Sequence, residues 1–258
     1  MKRVLLLILA ALFGAGMAIA AQSNRAFGNI FFPLLMAWGI SMLLWTRLFK
    51  RGVAHINEGQ FEAAIAKFTT ALKWRHIFFI SRIQSTTLPS YNIAVAYSRW
   101  GKFEDSLEWL SRIQPAKLPK VLQQSYYGLY AFNLMHGSQD LDHAETYIDQ
   151  AKAIGTFPSY LLSYAYLSML RQDWSAAGDW IQQYLDHPDR SRTSYQKDGI
   201  KLKIDTFYVS IVENYYLGLY HYHIGDRTKA REHLFVTAMS PYDHAFKQAA
   251  TDLYNQLA

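Results

Sequence analysis

The chain has 258 residues, 26 Lys and Arg, 20 Asp and Glu, and no Cys. That length does not limit core burial, and the lack of Cys excludes disulfides, thiolate zinc sites and thiol nucleophiles. The excess charge is confined to residues 1–51, which hold Lys2, Arg3, Arg25, Arg47, Lys50 and Arg51 and no acid; the other 20 basic residues balance 20 acidic ones, so no nucleic-acid footprint runs along the chain.

Val4 to Ala21 contains no charge. As a helix it would measure roughly 27 Å, near the hydrocarbon thickness of a bilayer. Ala26 to Thr46 is a second uncharged run, and the polar Gln22-Ser23-Asn24-Arg25 lies between them. The two runs read as a transmembrane helical hairpin (about 4–21 and 26–46), with Pro33 near the outer end of the second. Ala10, Gly14 and Ala18 form a small-residue stripe on the first run. Such a stripe admits a close helix neighbour, though small residues are common in apolar helices generally. A cleaved signal peptide ending near Ala18-Ile19-Ala20 is the alternative for this run. The basic residues around both runs place residues 47–258 in the cytoplasm by the positive-inside rule. The expected location is therefore a bacterial inner membrane, multi-pass, with the bilayer itself as one partner.

A second candidate membrane surface follows. From Arg47 to Lys102 there are nine basic residues against Glu58 and Glu62. The segment Lys73 to Arg82 mixes bases with aromatics and has no acid. Trp45, Arg47, Lys50, Arg51, Trp74, Arg75, Phe78 and Phe79 are the candidate membrane-interface residues. The alternative for the Lys73–Arg82 stretch is a buried extension of a repeat helix.

From residue 47 onward the chain repeats itself. Gly59-Gln60-Phe61-Glu62-Ala63-Ala64-Ile65-Ala66-Lys67-Phe68 is matched by Gly101-Lys102-Phe103-Glu104-Asp105-Ser106-Leu107-Glu108-Trp109-Leu110. The frame returns with Leu141, Ala144, Ile148 and Ala151, with Trp174, Ala177, Ile181 and Tyr184, and with Gly225, Ala230, Leu234 and Thr237. Tyr91 to Tyr97, Tyr160 to Leu167 and Tyr215 to Tyr220 stand upstream of three of these frames. Each unit reads as helix, tight turn, helix, with Pro115, Pro119, Pro158, Pro188 and Pro241 falling after the second helices. A small residue on the second helix lets the first pack close, and the bulky residue a turn later fills the space between units.

This pattern resembles the tetratricopeptide repeat (TPR) family, whose units of about 34 residues carry an aromatic, Leu-Gly, Tyr, Ala, Phe and a late Pro. The match covers most of residues 47–242. It departs from the family where Ala64, Ser106, Ala144, Ala177 and Ala230 are spaced 42, 38, 33 and 53 apart, placing inserts near residues 74–86 and 189–207. Gln139 and Gln172 stand where the turn glycine is expected, and Arg227 replaces an aromatic. The expected fold is all-α: a transmembrane hairpin over residues 1–46, then residues 47–258 as an α-solenoid of about five units. His244 to Leu257 would be a capping helix. The first repeat helix overlaps the second apolar run without a linker, so one nearly continuous helix is expected there.

Within this family the first helices of the units line a concave groove. The resemblance puts Tyr91, Asn92, Arg99, Tyr127, Tyr166, Met169, Tyr215, Tyr216, Tyr222 and His223 in it. Tyrosine anchors partners well, but the same residues also pack between helices. Family members that grip a terminal carboxylate use several Lys, Arg and Asn, and here only Asn92 and Arg99 fit. The expected partner is therefore a protein offering an apolar helix or an extended segment.

No motif points to catalysis or to a cofactor. His221-x-His223 on a helix is separated by about 200°, which sends the rings to different sides. Asp140-x-Asp142-His143 starts a helix, where Asp142 is a candidate cap. Glu104-Asp105 complements a helix dipole at its start. The sequence thus supports two readings: a membrane-anchored protein-interaction scaffold with a tyrosine-lined groove, or a structural subunit of a larger complex or homo-oligomer with no free groove. A groove filled by the 189–207 insert or by the last helix would favour the second.

Overall fold

The computed structural model describes residues 25–75, 86–154, 158–191, 194–197, 200–203 and 205–257. They form an all-helical chain with one short β-hairpin. The helices are α1 (Arg25–Asn57), α2 (Phe61–Lys73), α3 (Leu88–Arg99), α4 (Phe103–Ser111), α5 (Lys120–His136), α6 (Leu141–Ile154), α7 (Ser159–Leu170), α8 (Trp174–Leu185), α9 (Thr206–His223), α10 (Arg227–Ala238) and α11 (Lys247–Gln256). Consecutive helices pair into five hairpins, α1/α2, α3/α4, α5/α6, α7/α8 and α9/α10. The odd-numbered helices α1, α3, α5, α7 and α9 also touch one another in sequence, and each second helix touches the next first helix. That is a helical repeat-like stack in which neighbouring units create the core.

Turn chemistry makes the hairpins. Gly59, Gly101 and Gly225 have φ of 72°, 83° and 83°, and Gln139 and Gln172 have 54° and 61°. All five turns therefore use the left-handed region at one equivalent position, two of them without glycine. In three turns the next residue caps the second helix. Asp140, Asp173 and Asp226 accept from the backbone N–H of His143, Ala176 and Lys229. The cap in the third hairpin is thus Asp140 rather than Asp142, which pairs instead with Arg171.

The small residues of the repeat frame are the tightest points of the stack. Ala64, Ser106, Ala144, Ala177 and Ala230 are all 0 % exposed, and the bulky partners Phe68, Leu110, Ile148, Ile181 and Leu234 are buried. Ser106 replaces alanine by using its hydroxyl twice: Oγ donates to the Ala94 carbonyl at 2.8 Å and accepts from Asn133 Nδ2 at 2.9 Å. Helices α3, α4 and α5 are joined by this buried polar chain. Helix α7 carries buried residues on nearly every side, as the central helix of such a stack must.

Helix α1 is continuous for 33 residues. It runs through Pro33 and through the expected boundary at Thr46 without a break. The multi-pass inner-membrane location is overturned: among the described residues no helix is long and apolar enough to cross a membrane. From Trp45 onward α1 belongs to the first hairpin, where Phe49, Val53 and Ile56 pack with Phe61, Ala64 and Phe68 of α2. The apolar run Val4 to Ala21 lies outside the described residues.

The expected membrane-interface residues separate accordingly. Trp45 is buried and stacks on Phe49 at 4.9 Å, so it serves the hairpin core. Arg47, Lys50, Arg51, Trp74 and Arg75 are exposed, and Phe78 and Phe79 lie outside the described residues. The second insert carries the β-hairpin. Ser194–Lys197 pairs antiparallel with Ile200–Lys203, and the first of these strands meets α5. Arg190 beside this hairpin is paired with Glu213 of α9 at 2.5 Å.

Candidate functional site

The first helices touch one another along one side of the stack, and the end of the chain covers that side. The chain leaves α10 as an irregular strap, Ser240 to Phe246, before α11 begins at Lys247. The expected capping helix is therefore shorter at its start, because the backbone there is engaged elsewhere. The N–H of Ala245 donates to the carbonyl of Arg99 at the end of α3, at 2.9 Å. Tyr242 lies on the first turn so closely that a Cβ at Gly59 would come within 2.8 Å of it. Ala245 sits against Gly101 of the second turn. One short strap thus joins the fifth hairpin to the first two.

Phe246 fills the centre. Its ring lies 4.6 Å from Tyr215 in a stacked geometry, 5.0 Å from His136 and 5.8 Å from Phe132. Behind it Tyr166 and Tyr216 stack at 4.3 Å with 3° between planes. His136 lies against both, its Nε2 2.8 Å from the Tyr216 hydroxyl and its Nδ1 3.3 Å from that of Tyr166. Burial pushes the His136 pKa down to about 3 and raises the phenol pKa values of Tyr166, Tyr215 and Tyr216. All four rings are neutral near pH 7.

The rim is also engaged. Arg99 pairs with Asp205 at 2.6 Å and lies over the Tyr208 ring at 4.2 Å. Asp205 at the same time caps α9 by accepting from the N–H of Tyr208. The end of the second insert is thereby tied to α3. Tyr242 meets Phe207 at 5.3 Å on the same side.

The ten expected groove residues therefore do not form one open surface. Tyr166, Met169, Tyr215 and Tyr216 are buried in the core. Asn92 donates to the Leu88 carbonyl of its own helix. Tyr91 is half-buried, and desolvation holds its phenol up at about 12. Tyr127 packs on Tyr126 and Tyr147. Tyr222 donates its hydroxyl to Gln256 of α11, and His223 stacks on Trp174 at 4.2 Å. The two rings of the His221-x-His223 pair do diverge: His221 faces His233 at 5.7 Å. Among the described residues no group of three or more His, Asp or Glu is placed to hold a metal ion.

Two residues that dominate the site, His136 and Phe246, were not among those expected. Phe246 lies within the expected capping helix His244 to Leu257, but nothing local marks where its ring goes. His136 carries no local sign, since its partners come from α7 and α9. Shallow clefts lie on the outer side instead: one, of about 520 Å³, runs between α2 and the end of α3, lined by Glu62, Thr70, Lys73, Tyr97, Trp100 and Lys102. The described part of α1 exposes Leu34, Met36, Trp38, Ile40, Leu43 and Leu44. No protein-family model, curated protein or solved structure matches the chain.

Proposed function

We propose that this chain is a TPR-like structural interaction module, a subunit that joins a larger protein assembly, or further copies of itself, through its outer surfaces. The observation that carries this reading is the occupation of the side formed by the first helices. Phe246 takes the place a bound side chain would take against Tyr215 and His136. The strap's backbone takes the Arg99 carbonyl an extended ligand would use. Tyr166, Tyr215 and Tyr216 of the first helices are buried inside the molecule. What remains for partners is apolar area on α1, and a cluster of exposed large apolar side chains of this kind marks interaction surface.

Photo-crosslinkers placed at Leu43 and at Tyr215 of the full chain test the reading. Crosslinks to a second subunit or a second copy are expected from Leu43 and not from Tyr215. Capture of a separate protein from Tyr215, with the strap displaced, would replace this reading by that of a groove-binding scaffold.

A further inference from the structure

The strap is held by a histidine whose hydrogen bonds require one protonation state. His244 is buried at the base of the strap. Its Nδ1 accepts the backbone N–H of Phe246 at 3.2 Å, so Nδ1 carries no proton. Its Nε2 lies 3.3 Å from the Thr237 carbonyl of α10, an acceptor, so Nε2 carries the proton. The neutral Nε2–H tautomer satisfies both partners. A second proton has only one place to go, Nδ1, and there it faces the N–H of Phe246 head-on.

We propose that the Ser240–Phe246 strap is an acid-released latch: protonation of His244 at Nδ1 removes the acceptor that seats Phe246 and frees the strap from the first two hairpins. The proposal rests on the strap geometry and not on the identity of any partner.

The surroundings direct the release to the strap. The charged neighbours of His244 are Asp243 and Lys247, of opposite sign and both on its own segment. From α10 it meets the Thr237 carbonyl. Desolvation lowers its pKa, which keeps it neutral near pH 7 and moves the transition into the acid range. The hairpins themselves are held by helix packing along their whole length. The strap is irregular, and its backbone link to the second hairpin is the Ala245–Arg99 bond. Local opening draws on the part of a structure with the least regular hydrogen bonding. Opening lifts Phe246 off Tyr215 and His136 and presents that aromatic surface to solvent.

Amide hydrogen exchange of the full chain, read by mass spectrometry between pH 7 and pH 5 and corrected for intrinsic rates, tests this. Exchange in peptides spanning 239–246 is expected to accelerate by up to about tenfold per pH unit as pH falls from the ordinary histidine value of about 6.5 towards the lowered value of the closed strap. Helices α5 to α8, whose exchange follows only the global loss of stability, should accelerate less than the strap over the same range. His244→Asn, whose amide oxygen replaces Nδ1 as acceptor and does not titrate, is expected to abolish the acceleration. A strap whose corrected exchange is independent of pH overturns the proposal. So does acceleration that appears only together with that of α5 to α8, which is global unfolding. Wild-type acceleration retained in a folded His244→Asn chain assigns the proton elsewhere and overturns it equally. The wild-type titration decides the matter by itself if the variant does not fold.

Discussion

The backbone N–H of Ala245 and the carbonyl of Arg99 are 2.9 Å apart, and through them the last segment of the chain closes on the second hairpin. A linear stack couples only nearest neighbours, and its ends unfold independently of its middle. Here the strap adds a long-range coupling. Arg99 is bonded on its other side to Asp205, the cap of α9. The end of α3 is therefore a junction of three parts of the chain.

Phe246→Ala should destabilise the chain by about 3–5 kcal/mol, the usual cost of truncating a buried phenylalanine. The loss should extend to distant turns, since the strap covers Gly59 and Gly101. Urea denaturation gives the first quantity. Limited proteolysis at the first two turns gives the second, and should be faster in the variant.

Tyr215→Ala and Tyr222→Phe should behave differently. Tyr215 is buried and stacked on Phe246, so its truncation should cost about 3 kcal/mol or more and lower the midpoint of thermal unfolding. Tyr222 is half-buried, with one hydroxyl bond to Gln256. Tyr222→Phe should cost no more than about 1 kcal/mol. Equal effects would mean that the strap is not seated as described.

The turns offer a stabilising change. Gln139 and Gln172 hold positive φ, a conformation that costs an ordinary L-residue roughly 1–2 kcal/mol and glycine nothing. Glycine's larger entropy in the unfolded chain offsets part of that gain, so Gln172→Gly should stabilise by at most about 1 kcal/mol. Gly59→Ala should be markedly worse than Gly225→Ala. Both are strained, but the first also meets Tyr242 while the second meets nothing within 4 Å. Denaturant midpoints of the three variants check the ranking.

Stability should fall in mild acid. His136 has its pKa lowered to about 3 from 6.5 by burial. The unfolded chain then binds a proton below pH 6.5 that the folded chain refuses. Its contribution is complete above pH 6.5 and is lost as pH falls from there towards 3. Between pH 6.5 and pH 5 this amounts to about 2 kcal/mol from His136 alone. His221, His233 and His244 are shifted in the same direction, also chiefly by desolvation, and add to the slope. Urea midpoints at pH 7 and pH 5 measure it. His136→Gln should start less stable at pH 7 and show a shallower decline.

The hairpin register was legible because its causes are local. A small residue, a bulky residue one turn later and a turn residue with positive φ recur at fixed spacing, and each lands on a buried or left-handed position. Local information also joined the apolar run to the first hairpin as one helix, α1. It misjudged the place of that helix, since an uncharged run reads as a membrane span until Trp45 is found stacked on Phe49 in the first hairpin. The expected groove residues do not form one surface. A tyrosine on a first helix looks the same whether it faces solvent or Phe246.

The sequence by itself determined the helices, their pairing into hairpins, the five turn positions and the tight points between units, because periodicity and turn chemistry act over a few residues. Only the tertiary structure decided that the side formed by the first helices is covered by the strap. That depends on where the strap after α10 arrives, and so on the summed rotation of five hairpins joined by unequal inserts. No local spacing encodes the meeting of Ala245 with Arg99 or of Phe246 with His136. The stack brings them together, and burial of their rings with the bond between their backbones holds them there.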